Sequence, residues 1–236
     1  MTAGYSADQI RAAEAPHLAA GEPLMLRAAT GLAEQIRALL GERRAARTPE
    51  HGPRVLILVG PGNNGGDALY AGEQLGQAGV EVVIANTDWK LHDAALNAAI
   101  RAGGKVIAVQ PLSAVVAVAR ASDVVVDGIY GIGSSGRSPE LRGTARDVVG
   151  ALLPVVRAED GPAVVAVDIP SGVGSDDGAV PDPIVLPADL TVTFGAMKAG
   201  LLLAPARDFA GRVVVVDVGI ADDLARVDPL VDVVAD

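Results

Sequence analysis

Val55-Leu56-Ile57-Leu58-Val59-Gly60-Pro61-Gly62-Asn63-Asn64-Gly65-Gly66-Asp67-Ala68-Leu69 passes from an unbroken apolar run through a glycine-rich turn into the start of a helical pattern. A continuous Val/Ile/Leu run is what a strand needs when both faces of a parallel sheet are covered. Glycines in the turn let backbone N–H groups approach a ligand at the N-terminus of the helix that follows. The stretch therefore sets the fold class as α/β and marks the turn as a ligand site. Gly60-x-Gly62-x-x-Gly65 also satisfies the dinucleotide fingerprint, with Asp88 after the next apolar run at about the 20-residue distance which that pattern expects. A P-loop is set aside, because no Lys-Ser/Thr pair follows the glycines and the carboxylate of Asp67 stands there instead. Two amides and a carboxylate at the tip suit hydroxyls, amides or a hard cation better than a bare phosphate.

Outward from this stretch, apolar runs at 55–59, 81–85, 105–109, 123–127, 163–168, 189–194 and 212–217 alternate with helical patterns. That is the order of a doubly wound parallel sheet. The expected architecture is a Rossmann-like three-layer α/β/α sandwich with a mainly parallel sheet, forming one domain over residues 1–236. Two helices precede the sheet. Ser6-Ala7-Asp8-Gln9 is a capping box for a helix to about Ala19, and Pro23, tolerated in a first helical turn, opens another to about Leu40. Arg43 to Pro53 is a charged, proline-containing connector read as a surface loop. Residues 229–236 read either as a frayed tail or as the stub of a linker.

Half of the 236 residues are hydrophobic but only six are aromatic, so the core must be built from Ala, Val, Leu and Ile, which favour close packing of helix on sheet. A net charge of -10 argues against nucleic acid, whose phosphates need Lys and Arg, and against anionic membrane surfaces. The absence of cysteine excludes disulfides and thiolate chemistry. His17, His51 and His92 lie outside every glycine-rich loop, which leaves little basis for a histidine metal triad or histidine acid–base catalysis. The N-terminal stretch is amphipathic and interrupted by acids, unlike a signal peptide, and no apolar run approaches the roughly 20 residues of a membrane span. A cytoplasmic protein is expected.

In an open parallel sheet, ligands bind beyond the carboxyl ends of the strands. Besides the Asn-Asn-Gly-Gly-Asp turn, three such ends carry polar and glycine-rich sequence: Asp127-Gly128-Ile129-Tyr130-Gly131-Ile132-Gly133-Ser134-Ser135-Gly136-Arg137, Asp168-Ile169-Pro170-Ser171-Gly172 and Phe194-Gly195-Ala196-Met197-Lys198-Ala199-Gly200. Asp67, Asp127 and Asp168 should converge at one edge. A single aspartate after a strand is more often only a helix cap. Here two end strands so apolar that each must be satisfied by partners. With Asn64 and Ser171 beside them they outline an oxygen-rich pocket for a cation or a polyhydroxyl ligand. Lys198, one of only three lysines against sixteen arginines, stands to hold a phosphate, to balance the carboxylates, or to be an exposed loop lysine. Arg137 reads as a phosphate contact or, more commonly, a solvated loop charge. Tyr70 and Tyr130 are assigned no role.

At these residues the chain resembles the NAD(P)H-hydrate epimerase family, the YjeF N-terminal domain. The matching pieces are Gly60 to Asp67, Val126-Asp127-x-x-Tyr130-Gly131-x-Gly133, Val167-Asp168-Ile-Pro-Ser171-Gly172 and Ala188 to Leu201, together with the opening Tyr5-Ser6-Ala7-Asp8-Gln9-Ile10-Arg11-x-x-Glu14. The resemblance implies interconversion of the R and S epimers of hydrated NADH and NADPH, a cofactor-repair activity. It implies a potassium ion held by Asn64, Asp127 and Ser171. Substrate contacts would come from Asn63, Asn64, Gly65, Gly66 and Asp67, from Gly131, Ile132, Gly133, Ser134, Ser135, Gly136 and Arg137, and from Asp168, taken as the acid–base group with Lys198 orienting a carboxylate. It also implies a homodimer and a functional partner, an NAD(P)H-hydrate dehydratase, separate or fused. Ala68 where the family usually has glycine, Ile132 to Gly136 and Met197 depart from the family pattern. Rival readings are a non-catalytic ligand- or partner-binding module of the same fold and, ranked lower for want of a catalytic His or Tyr-x-x-x-Lys pair, an NAD-dependent oxidoreductase.

Overall fold

All seven apolar runs are strands of one sheet. In the computed structural model, which describes residues 2–46, 51–132 and 138–233, they are β2 (Arg54–Val59), β3 (Glu81–Asn86), β4 (Lys105–Ile107), β5 (Val124–Gly128), β6 (Ala163–Val167), β7 (Leu190–Phe194) and β8 (Arg212–Val216). They lie in the order β4-β3-β2-β5-β6-β7-β8, and every neighbouring pair is parallel. The chain winds outward from β2 to β4, then returns to the other side of β2 with β5. The loops after β2 and β5 therefore leave in opposite directions, which opens a crevice at the carboxyl edge between them.

Side chains alternate across each strand, and the two faces build separate cores. Val55, Ile57 and Val59 join α2 (Leu24–Ala45) and α3 (Asn63–Gln77), while Leu56 and Leu58 join α5 (Leu112–Arg120) and α6 (Gly143–Val156). α4 (Asp93–Arg101) packs beside α3 on the first face. This is the three-layer sandwich that the alternation implies.

α1 (Ala7–Ala19) opens with the expected capping box, Ser6 and Gln9 bonding reciprocally. α2 continues to Ala45, past Leu40 and into the charged connector. Leu39 and Leu40 are still buried there, and the last-turn arginines complement the helix C-terminus, with Arg43 donating to the Gly161 carbonyl at 2.6 Å and Arg44 to Asp123. The strict strand–helix alternation does not extend past β6. Asp168 to Asp189 and the β7–β8 connection carry no α-helix, only 3₁₀ turns at Ala199–Leu202 and Ala206–Phe209 in the latter. Ile169, Val173, Val185, Leu201, Ala206 and Ala210 cover that part of the sheet as a small cluster of their own.

A short helix, α7 (Ala221–Leu224), follows β8. The segment read as tail or linker stub contributes β9 (Val231–Val233), which pairs antiparallel with β1 (Thr2–Gly4). Among the described residues no helix is long and apolar enough to cross a membrane.

Candidate functional site

The loops after β2 and β5 run side by side. Gly60 N–H donates to the Gly128 carbonyl at 3.1 Å, and a Cβ on Gly60 would stand 2.0 Å from the Ile129 carbonyl oxygen, so no larger residue fits. Gly62 caps α3 with φ +93°, an angle glycine adopts freely. Asn63 to Asp67 are thus the opening turns of α3 and not a loop. Asn64 and Asp67, three apart, share one helical face, and each is 8% exposed. Ala68 points away from this face: it is fully buried, and its methyl packs on Gly128 in the sheet.

Asp127 ends β5 and is enclosed. One carboxylate oxygen accepts the Ser171 hydroxyl at 2.6 Å, the other the Ser171 N–H at 2.8 Å. Ser171 Oγ in turn accepts the Tyr130 N–H at 2.9 Å. Burial pushes the Asp127 carboxyl above its ordinary range, and the Ser171 hydrogen bonds pull against that. Asn64 lies against the same loop: a Cβ on Gly131 would come within 2.8 Å of Asn64 Oδ1. Its Nδ2 is buried with no hydrogen-bond partner among the described residues.

Asp168 follows β6 with φ +68°, the only left-handed non-glycine among the described residues. Such a backbone costs about 1–2 kcal/mol and persists only where surroundings enforce it. Its N–H is held by the Val192 carbonyl at 2.8 Å, and its carboxylate accepts from Thr193 Oγ1 at 3.2 Å. Lys198 closes on it as an ion pair and also donates to the Phe194 carbonyl at 2.7 Å. Lys198 is 1% exposed, so it is a partner of the carboxylate and not a loop lysine. Its backbone is pinned by Tyr5, whose N–H donates to the Met197 carbonyl and whose carbonyl accepts the Ala199 N–H, both at 2.9 Å.

These elements surround a cavity of about 930 Å³, with Asn63, Asn64, Asp67, Gly131, Ile132, Asp168 and Lys198 among its lining. Asp127 and Ser171 stand behind that wall. Gly65 and Gly66 lie inside α3 and outside the lining, Gly66 being packed near His92. Gly133, Ser134, Ser135, Gly136 and Arg137 lie outside the described residues. Tyr130 lines the cavity; Tyr70 instead packs edge-on against His92. An adjoining cavity of about 610 Å³ shares Pro61, Tyr130 and Arg142 with the first and reaches Asp88 and Trp89 beyond β3.

The Asp67 carboxyl has no hydrogen bond or ion pair among the described residues. Burial raises its carboxyl well above the usual range, and the charges of Asp168 and Glu14 push it further, against the pull of Lys198. Glu14 also lines the cavity. Burial raises it, Lys198 lowers it, and Asp168 raises it. Sequence reading quoted Glu14 without giving it a role. The available signal was its place on the face of α1 that buries Ile10 and Ala13, where an acid stands out from a helical stripe.

The family described as YjeF-related protein N-terminus matches residues 21–200. The chain belongs to this family, that of the NAD(P)H-hydrate epimerases. It is 56% identical over 230 residues to a Clavibacter michiganensis protein named NAD(P)H-hydrate epimerase, covering 97% of this chain and 94% of that one. It is 44% identical to the Bifunctional NAD(P)H-hydrate repair enzyme Nnr of Mycobacterium tuberculosis over 96% of this chain but only 43% of that longer protein. The crystal structure of yeast ynu0 shares the fold of this chain with a TM-score of 0.73, covering 90% of this chain and 86% of that one at 19% identity.

Proposed function

We propose that this chain is an NAD(P)H-hydrate epimerase, interconverting the R and S epimers of hydrated NADH and NADPH. The observation that carries the reading is the convergence of Asp67, Asp168 and Lys198 on one cavity at the sheet's carboxyl edge, in a chain 56% identical to a protein bearing that name. The epimeric carbon, C6 of the hydrated nicotinamide ring, carries a hydroxyl next to the ring nitrogen. Inverting it requires proton transfer at the C6 oxygen. Asp168 is the acid–base group, aimed by its strained backbone and by Lys198. A positioned acid–base group supplies about 10²–10⁴-fold, enough for so labile a carbon. The adjoining cavity offers room for the rest of the dinucleotide.

Asn64, Asp127 and Ser171 are assigned to a potassium ion. Among the described residues no three His, Cys, Asp or Glu side chains gather as a metal site, so an ion here would be met by amide, hydroxyl and a single carboxylate, the hard donors of an alkali or alkaline-earth cation. Two features fit. Asp127 is buried among neutral donors only, and turning over the Asn64 amide, whose orientation follows from its hydrogen bonds, puts oxygen at the atom now unpartnered. When bound, the ion supplies positive charge to an otherwise acidic site. The protein acts in the cytoplasm as a homodimer, alongside a dehydratase that consumes one epimer.

The test follows a mixture of R and S NADH hydrate while a dehydratase specific for the S form consumes it. Added protein with potassium is expected to accelerate loss of the R form, and Asp127→Ala to abolish that. Tight binding of the hydrate without acceleration would reassign the chain to the binding modules of this fold.

A further inference from the structure

The cavity has two walls that belong to different parts of the chain. One is the carboxyl edge of the sheet with Asp67, Asp168 and Lys198; the other is α1, which contributes Arg11, Glu14 and Leu18. α1 is fixed along its whole length. Its start hangs on the Tyr5 backbone contacts beside Lys198, and Ala7 N–H donates to Asp176 at 2.8 Å. Arg11 donates to the Ile132 carbonyl at 2.5 Å, and His17 bridges Glu22 and Asp223 at 2.7 and 2.8 Å. A helix tied at both ends and its middle cannot swing away from the sheet. Yet the Glu14 carboxyl has no hydrogen bond or ion pair among the described residues, although the neighbouring polar groups of α1 are engaged.

We propose that Glu14 is the second acid–base group of the epimerisation, acting on the face of the nicotinamide ring opposite to Asp168. The proposal rests on the epimerase reading above. Inversion at C6 by departure and return of oxygen needs a proton donor on one face and an acceptor on the other. In one direction the Glu14 carboxyl gives its proton to the C6 hydroxyl, and the C–O bond breaks with its electron pair going to oxygen, which leaves as water. The ring nitrogen's lone pair closes to C6 as an iminium. Water then adds to C6 from the other face, the iminium electrons return to nitrogen, and Asp168 takes the proton from the added oxygen. The reverse reaction exchanges the two roles.

The surroundings suit this division. Glu14 faces Arg11 on its own helix, Asp67 on α3, Asp168 beyond β6 and Lys198 beyond β7. Burial is the largest influence on it and favours the protonated form, whereas Asp168 is held against the Lys198 ammonium. A carboxyl without hydrogen bond or ion pair among the described residues thus stands on the wall opposite an ion-paired one.

The test is epimerisation in H₂¹⁸O by the full chain and its Glu14→Gln variant. Wild type is expected to place one solvent oxygen on C6 at each inversion. Glu14→Gln is expected to slow inversion by about 10²-fold or more with unchanged hydrate affinity and thermal unfolding, and Glu14→Asp to recover part of the rate. Inversion that keeps the original oxygen, as ring opening to an aldehyde would, overturns the proposal and leaves the epimerase reading intact. So does a Glu14→Gln variant within about threefold of wild type, a change far below that of a lost acid–base group. Absence of epimerisation by wild type overturns both.

Discussion

The two edges of the central sheet use the same residue types to opposite ends. At the amino edge Asp123, Glu81 and Asp189 are each answered. Asp123 accepts the Arg54 backbone N–H at 2.9 Å and the Arg44 guanidinium at 3.1 Å. Glu81 holds Arg54 at 2.8 Å and Lys105 at 3.1 Å, which lowers its carboxyl below the usual range. Asp189 accepts the Val164 N–H at 2.7 Å. At the carboxyl edge Asp67 has no partner among the described residues, Asp127 meets only neutral donors, and Asp168 sits on a left-handed backbone. The amino edge fastens strands to one another. The carboxyl edge holds carboxyls in states that cost stability and leave them available to a ligand, which is where perturbed groups belong in a working site.

The comparison breaks first at Asp168. Asp168→Asn, shown folded by circular dichroism, is expected to lose about 10²–10⁴-fold in the epimer-exchange rate; a variant with wild-type turnover would make the carboxyl edge a structural oddity. Lys198→Met should cost about 3–5 kcal/mol in urea unfolding, because it leaves the Asp168 carboxylate buried without its counter-charge. Asp123→Ala at the other edge should cost about 1–2 kcal/mol, for the lost strand and guanidinium contacts, and leave turnover unchanged.

The smallest effect sharpens the contrast. An acid raised in the folded state keeps its proton there after the unfolded chain has released it. Asp67 therefore makes stability fall as pH climbs from about 3.8, the ordinary aspartate value, through its own higher one. Asp67→Asn should leave stability at neutral pH unchanged or up to about 1 kcal/mol higher, with a flatter profile over that window in thermal melts at stepped pH, while lowering activity.

Much of this was legible in the sequence because the signals were local. Seven apolar runs became seven strands, and the central ones, covered on both faces, have no polar face to obscure their reading. Ser6 and Gln9 formed their capping box because both halves lie within one turn. Asp168 and Lys198 were each singled out, but the sequence left the lysine's role open: its burial against Asp168 is a contact between residues 30 apart. The helix absent after β6 was hidden because the cover there comes from a cluster of single residues drawn from two loops. Glycines at Gly65 and Gly66 argued for a loop, yet the helix starts at Asn63 because packing against the sheet outweighs about 1 kcal/mol of propensity per glycine. The β1–β9 pair escaped notice since its two three-residue strands lie at opposite ends of the chain.

That small pair has a mechanical meaning. Thr2 is in register with Val233, and at Tyr5, the residue after Gly4, the chain meets Lys198. Tension applied at Val233 is thus carried across an antiparallel ribbon loaded in shear, then along three residues to the hydrogen bonds that flank Lys198. A pull at Val233 is delivered to the ammonium that aims Asp168.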